Sequence, residues 1–205
     1  MVNTIFVYSE VSLVKQLSTV GKQSMLAFAT ACATRQSDNF LKFATPHFQW
    51  DVLTNILTEL WAAILGNATD DPKIWKRHID TIDNFLPSDD HVWTVADAIV
   101  DDAISSTAYA LRCFISGEAQ EAAWSARRSY ESADQIAIKL LNAEPGQKGF
   151  EKLVSQHEIV QRELQRQNRD MQLLRLGKIQ SVHEAAFNEK PLTDEEYALL
   201  KLTMH

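Results

Sequence analysis

Residues 89–117, DDHVWTVADAIVDDAISSTAYALRCFISG, decide the fold class, because they read as one long helix with two unlike apolar faces. Ala96, Ile99, Ala103, Ser106, Ala110 and Cys113 recur at alternating steps of three and four, a narrow seam of small side chains. Val100, Ile104, Thr107, Leu111 and Phe114 form a bulkier row beside it. Together the rows cover more than half the circumference, whereas a surface helix needs only one apolar face. The stretch therefore predicts a central helix of a bundle. Its remaining strip carries Asp97, Asp101, Ser105 and Arg112, with Asp102 and Tyr109 at the edge.

The rest of the chain fits an all-α, single-domain, multi-helix bundle. In 205 residues there are six glycines and five prolines, too few for the many tight turns of a sheet protein. The 45% hydrophobic and 23% charged composition is that of a globular protein with one well-buried core. Upstream, the spacing predicts a short helix over 9–17 capped by Ser9, a longer one over 19–35, and a short helical piece over 38–44 that Pro46 ends. Leu53, Ile56, Leu57, Leu60, Trp61 and Ile64 mark an amphipathic helix closed by Gly66. Asp71 and Pro72 are a cap and first-turn proline opening the next, whose buried side includes Ile74, Trp75, Ile79 and Ile82. Ser88, Asp89 and Asp90 offer caps for the central helix.

Downstream, Gly117 separates the central helix from one over 118–141 whose seam is Ala119, Ala122, Ala126, Ser129, Ala133, Ile136 and Leu140. A seam made mostly of alanine lets a partner helix approach closely. A helix over 150–176 carries a matching seam that includes Leu153, His157, Val160, Leu164, Gln167 and Met171. The simplest arrangement is a long antiparallel hairpin of these two helices. On that reading the face bearing Arg162, Glu163, Arg166, Arg169 and Asp170 is solvated, and His157 is a hydrogen-bonded core histidine. The bundle domain is expected to span 1–176. Residues 177–205 form a C-terminal extension, in which Thr193 and Glu196 make a capping box for a last short helix packed on the bundle or on a second subunit.

The net charge of −7 is unevenly placed. No lysine or arginine lies between Arg77 and Arg112, yet Asp80, Asp83, Asp89, Asp90, Asp97, Asp101 and Asp102 all do. Such a segment does not suit nucleic acid, whose phosphates need a positive surface. It suits a basic protein or a hard cation. No apolar run is long enough for a membrane span, no secretory leader is evident, and Cys32 and Cys113 sit among apolar helical residues. The expected location is the cytoplasm.

Catalytic motifs are absent: there is no P-loop, dinucleotide glycine motif, nucleophile elbow, paired CxxC or HExxH. Two readings of the carboxylates compete. In the first, Asp89, Asp90, Asp97, Asp101 and Asp102 dock a basic protein without catalysis, as an immunity or antitoxin-like module does, and no cofactor is needed. In the second, Asp97 and Asp101, with Glu131 and Asp134 from a facing helix, hold magnesium or manganese for hydrolysis. Acids four apart are common on solvated faces, and few basic residues stand ready for a phosphorylated substrate, so the docking reading leads. A third reading is a structural homodimer using the alanine seam or the C-terminal helix.

The run from Pro87-Ser88-Asp89-Asp90 through Asp102-Ala103 to Ser116-Gly117-Glu118 resembles the bacterial YjaG-like family of unknown function, small all-helical proteins. The likeness extends upstream to Leu60-Trp61 and Ala31-Cys32-Ala33-Thr34-Arg35, and downstream to Ser129 and Ser132. It implies an all-α cytoplasmic fold and brings no catalytic residues.

Overall fold

A computed structural model describes residues 4–44, 51–67, 71–85 and 93–203. Among them there are ten helices and no strand, packed as one all-α domain. Asp89 and Asp90, and with them the expected caps at Ser88 to Asp90, lie outside the described residues.

The hub is α2 (Lys22–Phe43), and the helix that follows Thr94 lies beside it, packed on several sides as its two apolar faces predict. Every residue from Met25 to Gln36 is buried, so α2 has no solvent face along three turns. The two pieces expected over 19–35 and 38–44 are this single helix, because nothing between them breaks it. Small side chains at Ala27, Ala29, Ala31 and Ala33 let neighbours close in on all sides. The buried polar residues Thr30, Thr34, Arg35, Gln36 and Asn39 conceal this role from an amphipathic pattern, since they dilute the apolar signal.

Around α2 stand α5 (Val95–Ser116), α6 (Ala119–Leu141) and α8 (Glu158–Arg175). α5 and α6 pack closely on each other, a pairing beyond the expected one of the α6 seam with the helix over 150–176, and Ser125 sits at the three-helix contact. Its hydroxyl lies 3.0 Å from the carbonyl of Ala29, 3.0 Å from the carbonyl of Ser106 and 3.0 Å from the Ser106 hydroxyl. Gly117 ends α5 in the left-handed region at φ 71°. A side chain there is strained, which explains glycine at this turn.

On the flank, α3 (Val52–Ile64) buries Leu53, Ile56, Leu57, Leu60, Trp61 and Ile64 as its pattern predicts. Full burial of each aliphatic side chain contributes about 1.5–3 kcal/mol. The indole N–H of Trp61 donates to Thr34 Oγ1 at 2.9 Å. Next comes α4 (Pro72–Asp83), which opens on Asp71 accepting from the Lys73 amide and lays Trp75 against Phe114 of α5. The first helix, α1 (Glu10–Leu17), is capped by Ser9 and packs on α6.

The helix expected over 150–176 is broken. α7 (Phe150–Ser155) ends at Gln156, and His157 is the N-cap of α8, its Nδ1 accepting from the Ile159 amide at 3.4 Å. His157 is thus a half-buried cap, not a seam histidine, and Leu153 is half exposed. From Val160 onward the seam holds, and α6 and α8 pack together. The C-terminal stretch returns to the same bundle: α9 (Ile179–Asn188) lies on α2, and α10 (Asp194–Thr203) lies on α6. Thr193 and Glu196 form the expected capping box, with bonds of 2.7 and 3.2 Å.

Buried apolar residues fall into two clusters. Along α6 the chain passes from Ala126 in one to Ala133 in the other through buried Ser129 and Ser132. Along α8 it passes from Leu164 to Met171 through buried Gln167 and Asp170. A polar layer therefore crosses the core.

Candidate functional site

The acidic strip of α5 resolves into residues with different tasks. Asp97 closes a capping box at the helix start: its Oδ2 accepts from the Thr94 amide at 2.9 Å and the Thr94 hydroxyl at 2.6 Å, while its own amide donates back to Thr94 Oγ1 at 3.2 Å. This satisfies amides that the first turn of a helix leaves unpaired. Asp101 is half-buried, and loss of water raises its pKa while Arg128 pulls it down.

Asp102 is 1% exposed, so it offers no charge to a docking partner. Its carboxylate accepts from Arg128 Nη1 at 3.3 Å and from Gln135 Nε2 at 3.2 Å, both on α6. Ser106, one turn along, is not its partner, because that hydroxyl is committed to Ser125. Burial pushes the Asp102 carboxyl up to about 8, with Arg128 opposing the rise and Glu131 and Asp101 adding to it.

Arg128 is the pivot of this ridge. It lies between Asp102 and Glu131, both at 3.3 Å, and Glu131 also accepts from Arg127 at 2.7 Å. Asp101, Asp102 and Glu131 thus gather round one arginine, whose charge offsets theirs. Asp134 faces elsewhere, lining a hollow beside the N-terminal segment with Tyr130, whose hydroxyl bonds its carboxylate. Among the described residues no three His, Cys, Asp or Glu side chains group as a metal site would need. Beside the ridge, Tyr109 packs on Trp124 at 5.4 Å between ring centres, and the Arg112 guanidinium lies over Tyr109 at 5.5 Å.

The second polar constellation lies in the core, at residues that the sequence pattern assigns to a solvated face. Arg35 is 1% exposed, and its Nη1 donates to Asp170 Oδ2 at 2.7 Å, while Glu163 Oε2 stands 3.7 Å from its Nε. Burial works against the Arg35 charge, but Glu163 and Asp170 outweigh it and hold the pKa above the ordinary arginine value. Asp170 Oδ1 is also clasped by Arg169 at 3.1 and 2.7 Å, and Arg169 continues to Glu189. Gln167 donates to Glu163 at 2.8 Å and to the carbonyl of Ala126 at 3.0 Å. Asn39 bridges Gln36, Ser132 and the Tyr197 hydroxyl. The signal for this centre was present as spacing: Glu163, Gln167 and Asp170 stand four and three apart, beside the buried row of Val160, Leu164 and Met171.

Neither thiol is built for nucleophilic work. Cys32 is fully buried and Cys113 lies in the core, and burial raises both pKa values, that of Cys113 to about 12. The thiolate is the nucleophile, so both are inert at neutral pH. Larger hollows, of about 570 and 660 Å3, are open grooves on either side of the N-terminal segment, lined mainly by Gln, Glu and apolar side chains.

No protein-family model matches the chain, and no curated protein does. Among solved structures, that of a DUF416 family protein from Shewanella baltica OS155 matches with a TM-score of 0.73 at 14% identity, covering 85% of this chain and 93% of that one. Identity at that level establishes a shared fold and nothing finer. DUF416 is a family of unknown function, in keeping with the uncharacterised family that the residues resemble. No described helix is long and apolar enough to cross a membrane.

Proposed function

We propose that this protein is a non-catalytic protein-binding module, recognising a basic partner through the carboxylates at the start of α5. The observation that carries this reading is the state of the buried ionisable groups. Arg35, Asp170 and Asp102 are each tied to a partner side chain, and none is left aimed into a cavity as a general acid, base or nucleophile would be. Half-exposed Asp97 and Asp101 then supply the charge for encounter, and Asp89 and Asp90 extend the same sequence segment. Asp102 acts behind them, holding Arg128 in place.

Charge-driven docking is weakened by salt and by loss of the charge. With the immobilised protein as bait, a partner retained at low salt should be released by Asp101→Asn and by raised ionic strength. Asparagine preserves the size of the side chain, so the fold is kept. Equal retention by wild type and Asp101→Asn removes the acidic-docking reading. The hydrolase reading makes a separate demand: magnesium or manganese must raise the unfolding midpoint saturably, and Asp101→Asn must abolish the rise. That outcome replaces the binding module with a metal enzyme.

A further inference from the structure

The segment preceding α1 is held as a bound peptide is held. Gln161 of α8 accepts from the Phe6 amide through Oε1 at 2.9 Å and donates through Nε2 to the Phe6 carbonyl at 2.9 Å, the two-point grip that a neighbouring strand makes. Tyr8 stacks on Tyr130 of α6 with ring centres 4.6 Å apart and planes 7° apart. Burial alternates with a period of two, as in a strand: Phe6 and Tyr8 are half-buried, whereas Ile5 and Val7 are 50% and 83% exposed.

In an extended chain, successive residues present their amides and carbonyls to opposite edges. One edge, at Phe6, is taken by Gln161. The other, at Ile5 and Val7, makes no hydrogen bond with any described residue. Among the described residues, which form no strand, this is a solvated backbone edge beside a ready-made hollow of about 570 Å3, floored by Tyr130, Phe150 and Val154 and bearing the carboxylates of Asp134 and Glu151. Unpaired edges of this kind template an added strand.

We infer that this edge is a docking site for an extended peptide of a partner protein, one that alternates apolar and basic residues. The peptide pairs with the amides and carbonyls of Ile5 and Val7. Its apolar side chains enter the Tyr130–Phe150–Val154 hollow, and its cations meet Asp134 and Glu151, which outnumber the single lysine there, Lys152. The backbone edge specifies an extended chain rather than a helix, and the hollow's charge specifies the sign of its side chains. This surface uses none of the α5 carboxylates.

The test is fluorescence anisotropy of a blocked, labelled peptide, Lys-Val-Lys-Val-Lys-Val, titrated with the full chain, with Glu-Val-Glu-Val-Glu-Val as counterpart. Val7→Pro is the diagnostic variant. It deletes an edge donor that bonds no described residue, and an unchanged melting temperature shows that the fold is kept. Saturable binding of the basic peptide, weakened at least tenfold by Val7→Pro and by Asp134→Asn but not by Asp101→Asn, is expected. Equal binding by wild type and Val7→Pro, equal binding of the acidic peptide, or no binding overturns the proposal. A wild-type dimer that Val7→Pro converts to monomer also overturns it, in favour of edge pairing between two copies. Loss through Asp101→Asn alone would assign the peptide to the α5 carboxylates instead.

Discussion

Arg35 Nη1 and Asp170 Oδ2 lie 2.7 Å apart with both side chains closed to solvent, joining the hub helix α2 to α8 through the middle of the core. Two charges removed from water stabilise a fold only when their geometry is good and their remaining bonding capacity is filled. Here Arg169 clasps the second Asp170 oxygen and Glu163 balances the charge from 3.7 Å, while the buried Arg35 Nε keeps no hydrogen bond. Removal of one member is more costly than removal of the pair. Arg35→Met should destabilise by about 3–5 kcal/mol, because it leaves Glu163 and Asp170 buried without their shared cation. Urea unfolding measures this, and a loss below about 1 kcal/mol would show that the centre is hydrated or relaxes on substitution.

Ser125 tests how closely α2, α5 and α6 must approach. Its hydroxyl serves the contact with both neighbours, and it is wholly buried. Ser125→Ala keeps the close approach and loses hydrogen bonds, at a cost of about 1–2 kcal/mol. Ser125→Leu must push three helices apart, which adds an overpacking penalty of about 1–3 kcal/mol. Denaturation midpoints should therefore fall in the order wild type, Ser125→Ala, Ser125→Leu. If leucine is tolerated as well as alanine, the seam is not the tight contact described.

Much of this architecture is legible in the sequence, for reasons that also explain what is not. Helix boundaries at Ser9, Asp71, Gly117 and Thr193 follow from local chemistry: a side-chain oxygen that caps amides, a proline where no amide is needed, a glycine free to turn left-handed. The alanine seam of α6 is legible because small residues at three-four spacing have few other uses. The break at His157 is not, since an imidazole replaces the usual serine or aspartate cap and the apolar rhythm continues across it. Arg35, Glu163 and Asp170 are hidden for a different reason. Each has the pattern of a surface charge, and only the meeting of α2 with α8 turns three solvated groups into one buried cluster. On α5, sequence marks the carboxylates but not their fates, because Arg128 and Gln135 come from another helix.

Asp102 gives the fold a pH dependence whose sign is fixed by its environment. Its carboxyl is near 3.8 when exposed and is pushed up to about 8 by burial, so the folded chain holds a proton that the unfolded chain has released. Stability from this group is full below about 4 and declines as pH rises towards 8, by at most about 1.4 kcal/mol per pH unit. Asp102→Asn mimics the neutral form and removes the dependence. The stability of wild type minus that of Asp102→Asn should fall between pH 5 and pH 8 and level off above. A difference that rises over the same range would mean that Arg128 holds the carboxylate ionised.

The two cysteines give a direct check on the packing of α2 and α5. Cys32 and Cys113 are both closed to solvent and both have pKa values raised by burial, so little thiolate exists at neutral pH and no reagent reaches what does. Alkylation of the native protein at pH 7.5 should therefore be slow for both, and should proceed only through opening of the core. Addition of urea to the midpoint should accelerate both together if α2 and α5 open as one unit, since they share a single apolar cluster. Faster labelling of Cys113 alone would place the weak seam on the α6 side of α5, where Glu121 and the Ala122 backbone lie beside the thiol, and would separate local fraying there from unfolding of the Arg35 centre.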